Sequence, residues 1–321
     1  MTNPLETPSR DSEILVTGSL AFDQIMDFPG FFKDHVLPDK LHMINLSFLV
    51  RELRKQRGGC AGNVAYSLAL LGERARVVAA AGQDFAEYRE FLVGLGVDVD
   101  PIAVDPKQVT ACCFITTDRA NNQITGFFPG AMSGARELSL ASAVTPRTRY
   151  AIVMPDDPEA MLRHCREAKA AGVPLLFDPS FQVIALDGAA LTEAARGAYA
   201  VLVNDYEYAV FQEKSGLDDR GLLELAEIWV VTRGEEGSRI LTRGGETLEV
   251  PAVPAGEVVD PTGAGDAYRA GFLTGLVRGC DLATCGRLGS VAAVYAIESY
   301  GTQNHGYERD EFFARYRAHF G

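Results

Sequence analysis

No stretch of this 321-residue sequence approaches the ~18 consecutive apolar residues that a membrane span needs. The first twelve residues, MTNPLETPSRDS, are polar, hold two prolines and lack the apolar centre of a secretory signal, so residues 1–12 are expected to form a flexible tail. Positive charge is scarce. Lys and Arg number 30 against 43 Asp and Glu, and the net charge of −13 has the wrong sign for tracking a phosphate backbone. Neither nucleic acid nor a membrane is an expected partner; a small molecule is. The six cysteines, at 60, 112, 113, 165, 280 and 285, form no CxxC and flank no pair of histidines, which excludes zinc-finger spacing and a regular disulfide framework. A chain of this length buries roughly 75% of the surface its unfolded form exposes and needs no such staples. A reducing, cytoplasmic setting is therefore expected.

Three catalytic signatures are also missing. No lysine follows a glycine, so the chain has no P-loop. Gly18 opens the segment Gly-Ser-Leu-Ala-Phe-Asp, without the second glycine of a dinucleotide fingerprint. No serine sits in a GxSxG elbow, and His35, His42, His164, His305 and His319 show no mutual spacing for a metal or a nucleophilic pair.

What is present is a rhythm of strand and helix. EILVTG (13–18), the stretch 75–80, RYAIVM (149–154), PLLFD (174–178), AVLV (200–203) and IWVVT (228–232) are continuous apolar runs, the mark of strands buried on both faces. Between them lie helical periods over Asn63–Leu71, Asp84–Leu95, Pro158–Ala171 and Asp205–Lys214, three of them closed by Gly72, Gly96 and Gly172. The expected fold is α/β: a three-layer α/β/α core around a mainly parallel sheet. Residues 20–57 and 109–132 break the rhythm with strands joined by polar turns, as in AFDQIMDFPG, VTACCFITTD and NNQITGFFPG. They are expected to form a small, discontinuous β-sheet lid over a core made of 13–19, 58–108 and 133–321. The stretch 281–319 reads as two or three helices.

The segment with most chemistry is Asp260-Pro-Thr-Gly-Ala-Gly-Asp266, followed by AYRAGFLTGLVRG, in which Phe272, Leu273, Leu276 and Val277 recur at helical spacing. Gly271 and Gly275, four apart, allow a close helix contact. A tight turn over Gly263, Ala264 and Gly265 would open the helix with backbone N–H groups converging on one spot, an anion hole. Asp266, at the helix start where the dipole favours its ionised form, could accept a proton from an incoming hydroxyl. Positioning plus charge stabilisation suffices for phosphoryl transfer. On turn chemistry alone, a helix capped by Asp after a Gly-rich turn reads equally well.

DPTGAGD, together with Gly58-Gly59-Cys-Ala-Gly-Asn63 about 200 residues upstream, resembles the two signatures of the ribokinase (PfkB) family of sugar and nucleoside kinases. Asn204-Asp-Tyr-Glu207 and Thr232-Arg-Gly-Glu-Glu-Gly237 extend that resemblance over nearly the whole chain. Within the family the likeness is closer to bacterial adenosine kinases, on GSLAFD (18–23), LPDKLHMINLSFLV (37–50), NNQITGFFPGAM (121–132) and NDYE. The resemblance implies a ribokinase-like fold and an ATP-dependent transfer to the 5′-hydroxyl of adenosine, giving AMP and ADP. Inosine, guanosine or a free sugar such as ribose or fructose are the alternative acceptors. A non-catalytic nucleotide-binding regulator is the alternative from another class.

The resemblance also assigns roles. Asp266 is the base, with Gly263, Ala264 and Gly265 as the anion hole. Ser19, Asp23, Gly58, Gly59, Asn63, Phe127 and Gln182 hold the nucleoside: Asp23 suits a ribose cis-diol, Asn63 offers a donor and an acceptor beside it, and Phe127 stacks on the base. Read alone, Asp23 is a turn residue, Asn63 a helix cap and Phe127 a core strand residue. A second aromatic clamp carried by some relatives is here Cys113, with Phe114 facing the opposite side. Asn204, Thr232, Gly234, Gly237 and Thr262 border the ATP, and Glu207 orders Mg²⁺ through water. Alternatively NDYE is only a helix N-terminus with an acidic first turn. Asp260, Ser299 and Gly301 are candidates for a K⁺ site. Arg119, in a lid turn, could reach the moving phosphate or simply be solvated. The cofactors implied are Mg²⁺ with ATP, and K⁺ as an option; the partners are a nucleoside, ATP and a second copy of the chain in a homodimer.

Overall fold

The computed structural model describes residues 11–34, 47, 49–120 and 122–321. Most of the segment 37–50, which carries part of the likeness to adenosine kinases, and residues 1–10 of the tail lie outside the described residues. In chain order the first half contains β1 (Glu13–Thr17), β2 (Ala21–Asp27), β3 (Glu52–Gly58), α1 (Cys60–Leu70), β4 (Ala75–Val78), β5 (Ala80–Gly82), α2 (Ala86–Gly94), β6 (Ala103–Asp105), β7 (Ala111–Thr117) and β8 (Gln123–Phe128). The second contains β9 (Thr148–Val153), α3 (Pro158–Ala170), β10 (Leu175–Phe177), α4 (Gln182–Ala185), α5 (Gly188–Ala195), β11 (Ala200–Asn204), α6 (Asp205–Ser215), α7 (Asp219–Leu225), β12 (Ile228–Thr232), β13 (Ser238–Thr242), β14 (Thr247–Val250), α8 (Ala264–Val277), α9 (Leu282–Ile297) and α10 (Arg309–Phe320).

The large sheet runs β14-β13-β12-β11-β10-β9-β1-β4. Its six strands from β12 to β4 are parallel, and β13 and β14 close one edge as an antiparallel hairpin. Alternate residues of each apolar run serve opposite layers, as a strand's period of two requires. Ile14, Ile152, Leu202, Ile228 and Val230 pack with α1, α2 and α8. Leu15, Val153, Val203, Trp229 and Val231 pack with α3, α5, α6 and α7 on the other side. This is the three-layer, mainly parallel architecture expected from the repeating pattern. Gly271 and Gly275 let α8 and α9 approach closely: a Cβ on Gly271 would stand 2.4 Å from the Leu288 carbonyl oxygen, and one on Gly275 2.7 Å from Cys285 Sγ.

A second sheet, β3-β2-β7-β8, stands apart from the first. Its register aligns Gln56, Asp23, Cys113 and Phe127 in one row across the four strands. Neighbours in such a row project from the same face. Phe114 lies in the adjacent row with Gln24, Lys55 and Gly126, hence on the opposite face.

Candidate active site

The C-terminal ends of the parallel strands, where open α/β sheets bind ligands, carry Ser19 after β1, Asp178 after β10, Asn204 on β11 and Thr232 on β12. Two helices point their first turns at the same region. Gly59 caps α1 at φ 87°, and a Cβ there would lie 2.5 Å from the Ser19 carbonyl oxygen, so only glycine fits. Ser19 in turn accepts a bond from the Cys60 amide through Oγ, at 3.3 Å. Gly263 caps α8 in the left-handed conformation at φ 82°, a geometry glycine adopts without strain.

These two first turns bring Asn63 and Asp266 together, 203 residues apart in sequence: Asn63 Nδ2 donates to Asp266 Oδ2 at 2.8 Å. Burial pushes the Asp266 carboxyl up to about 6, against the opposing pull of the Arg269 charge and the Asn63 bond. The expected preference for the ionised form at a helix start is thus outweighed by desolvation. A value near 6 still leaves the group mostly ionised at neutral pH and able to take a proton, which is the tuning a general base needs. Beside it the Ala264 amide makes only a long bond, 3.3 Å, to the Pro261 carbonyl.

Arg269 stands in no motif the sequence makes legible. It pairs with Asp178 in a buried ion pair and donates from Nη2 to Asp178 Oδ1 at 2.9 Å. A Cβ on Gly265 would stand 2.5 Å from Arg269 Nη1, so this glycine also makes room for the guanidinium. The available signal is one charged residue within the otherwise uncharged AYRAGFLTGL. Asp178, Glu207 and Asp266 face this single cation, and both Glu207 and Asp178 are raised, chiefly by burial. Three acids around one guanidinium leave a negative surplus that suits a cation.

Asp23 stands over the other glycine pair. A Cβ on Gly58 would lie 2.5 Å from its Oδ2, and no described residue donates a hydrogen bond to its carboxylate. Burial, then repulsion from Asp260, raises it to about 6. On the same face Phe127 is 46% exposed, far more open than a core strand residue. Gln182 is buried and donates from Nε2 to the Asp156 carbonyl at 2.7 Å. Asn204 and Glu207 form a capping box, each side chain bonding the other's backbone amide at 2.8 Å. The helix-start reading of NDYE is therefore realised.

Thr232, Gly234 and Gly237 line a cavity of about 600 Å³ that reaches Ala264 and Gly265; most of its other walls are apolar, such as Val253 and Val294, with Glu235, Tyr268 and Ser290 as the polar exceptions. Gly237 is at φ 84°, and a Cβ there would be 2.1 Å from the Val250 carbonyl oxygen. Asp260 ties two loops together: Oδ1 accepts from the Thr262 amide at 2.9 Å and Oδ2 from Gly301 at 3.0 Å. The Ser299 amide bonds Ala296 O within the adjoining turn. Arg119 is exposed, its amide bonded to the Gly30 carbonyl at 3.0 Å.

The model of the pfkB family of carbohydrate kinases matches residues 16–309. The chain belongs to that family. A nucleoside kinase of Methanothermobacter thermautotrophicus is 33% identical over 317 residues, covering 98% of each chain. The solved nucleoside kinase of Burkholderia thailandensis in complex with inosine superposes with a TM-score of 0.86 at 40% identity, covering 96% of this chain and 98% of that one. The same enzyme in complex with ADP-inosine gives 0.84 at 41%, covering 96% of each chain. An adenosine kinase from Sinorhizobium meliloti, at 23% identity and a TM-score of 0.77 with 96% and 99% covered, shares the ribokinase-like fold.

Proposed function

We propose that this pfkB-family protein is an ATP-dependent nucleoside kinase that phosphorylates the 5′-hydroxyl of adenosine, giving AMP and ADP. The observation that carries the reading is the contact between Asn63 and Asp266 beside the Gly263–Gly265 turn, with the Asp23 carboxylate, to which no described residue donates a hydrogen bond, nearby in the small sheet. Asp23 offers two acceptor oxygens to a ribose cis-diol, and Phe127 offers the base a flat apolar surface. Gly58 and Gly59 let backbone approach the sugar, with Ser19 and Gln182 at the strand ends beside it. The cavity bordered by Thr232, Gly234 and Gly237 takes the ATP base and ribose, with Thr262 and Asn204 toward the phosphates.

The 5′-oxygen attacks the γ-phosphorus, a new O–P bond forms, the bond to the ADP oxygen breaks, and the hydroxyl proton passes to Asp266. The amides of Gly263, Ala264 and Gly265 meet the charge on the transferring group. The acidic surplus around Arg269 fits a bound divalent cation, with Glu207 as its holder through water. Mg²⁺ on the ATP phosphates would supply charge neutralisation there. Asp260, Ser299 and Gly301 are proposed to hold K⁺, and closure of the small sheet to keep water from competing with the sugar hydroxyl. Arg119 is assigned no role in transfer. We further infer a homodimer through the outer face of the small sheet, and a reducing, cytoplasmic setting that suits six free thiols.

The test is ADP release with Mg²⁺ and ATP across adenosine, inosine, guanosine, 2′-deoxyadenosine, ribose and fructose, with and without K⁺. Adenosine should lead, with the 2′-deoxy form about 10- to 100-fold weaker for want of the diol contact. Inosine is the second reading, supported by the inosine complex of the 40% identical neighbour. A free sugar in the lead would refute the nucleoside assignment.

A further inference from the structure

Behind the proposed base runs a chain of hydrogen bonds whose direction can be worked out from one end, and the inference drawn from it rests on the kinase reading above. The Gly58 carbonyl can only accept, and it takes the single proton of the Tyr88 hydroxyl at 3.0 Å. Toward its other neighbour, Gln303, that hydroxyl can then only accept, so Gln303 must present Nε2 to it. The same Nε2 donates to Asn63 Oδ1 at 2.9 Å, which leaves Asn63 Nδ2 to face Asp266 Oδ2 at 2.8 Å. The O and N ends of a side-chain amide are nearly alike in shape and are distinguished only by their partners. Here a backbone carbonyl, which cannot flip, fixes the polarity of the whole chain. Tyr88 is fully buried and Gln303 is 3% exposed, so water does not compete.

The neighbouring glycine supports the same reading. Gly62 sits inside α1, where glycine weakens a helix. A Cβ at this position would stand 1.8 Å from Tyr88 Oη and 3.0 Å from Gln303 Nε2. The missing side chain is the space in which the relay meets. Tyr88 arrives from α2, Gln303 from the loop between α9 and α10, Asn63 from α1 and Asp266 from α8, so four separate elements converge on it.

We propose that Tyr88 and Gln303 are positioning residues for phosphoryl transfer: they orient the Asn63 amide so that its nitrogen, not its oxygen, faces Asp266. With the amide reversed, two acceptors would oppose each other, and the carboxyl would have to keep a proton to bridge them. A base that keeps its proton cannot take one from the substrate. The other groups acting on Asp266 stay in place whichever way the amide turns: Arg269 on α8, Cys60 on α1, Asp178 after β10 and Glu207 on α6.

The variant Gln303→Met keeps the length of the side chain and removes its donor; Tyr88→Phe removes one oxygen. After a thermal melt confirms folding, kcat and KM for nucleoside and ATP are measured from pH 5 to 9. Gln303→Met should lower kcat by roughly 10- to 100-fold with both KM values within about twofold, and should move the acid limb of kcat upward by about one unit. Tyr88→Phe should shift both quantities in the same direction by less, and it decides alone if Gln303→Met does not fold. A folded variant with unchanged kcat, or with reduced kcat and an unmoved acid limb, would overturn the proposal. Lack of turnover by the wild-type protein would instead refute the kinase reading.

Discussion

At the residue scale the site holds charge where folding alone would not place it. Asp266 has a folded-state value near 6 against 3.8 for an ordinary aspartate. The folded protein therefore binds the extra proton between these values. Stability from this group is present below about 4, falls as pH rises through 6, and is a full penalty at neutral pH. Asp266→Asn should thus raise stability at pH 7.5 by an amount on the order of 1–3 kcal/mol. The gain should fall to about a third of this at pH 4.5 and vanish below about pH 4, and melting curves at pH 7.5 and 4.5 check the sign. Legibility at this scale is uneven. Asp266, Asn63 and Asp23 stand in motifs whose chemistry can be read from the chain. Arg269, Gln303 and Tyr88 matter through contacts made 91, 240 and 215 residues away, and no local pattern encodes such partners. The two uses of Gly265, backbone turn and room for Arg269, look identical in sequence.

At the element scale the apolar runs foretell the parallel strands because a strand buried on both faces has no other composition available to it. The edge hairpin β13–β14 gives no such signal, since β14 alternates exposed Thr247 and Glu249 with the more buried Leu248 and Val250. The small sheet is legible as strands, but its register is not: in the row Gln56, Asp23, Cys113, Phe127, two of the three pairings join residues 33 and 90 positions apart. That register leaves Leu53, Phe114, Ile124 and Phe128 on the opposite face, each at least 45% exposed. An open apolar sheet face of this kind calls for a cover. Sedimentation should show a dimer for the wild-type chain. Phe114→Glu, placing a charge in the middle of that face, should shift it toward monomer, and a monomeric wild type would refute the proposed interface.

At the scale of the whole molecule, two first turns from helices far apart in sequence meet at the C-terminal ends of a parallel sheet, beside a largely apolar cavity and with Asp23 of the small second sheet nearby. The net charge of −13 lies poorly with an anionic co-substrate, so on the proposed function the helix starts and a bound cation would have to receive ATP. In the proposed transfer everything depends on Asp266 as the proton acceptor. The most direct test is turnover of Asp266→Asn with ATP, Mg²⁺ and adenosine, alongside its binding of nucleoside and ATP. Near-normal binding and a loss of at least about 10³-fold in kcat are expected. Turnover within tenfold of wild type would contradict that role for Asp266.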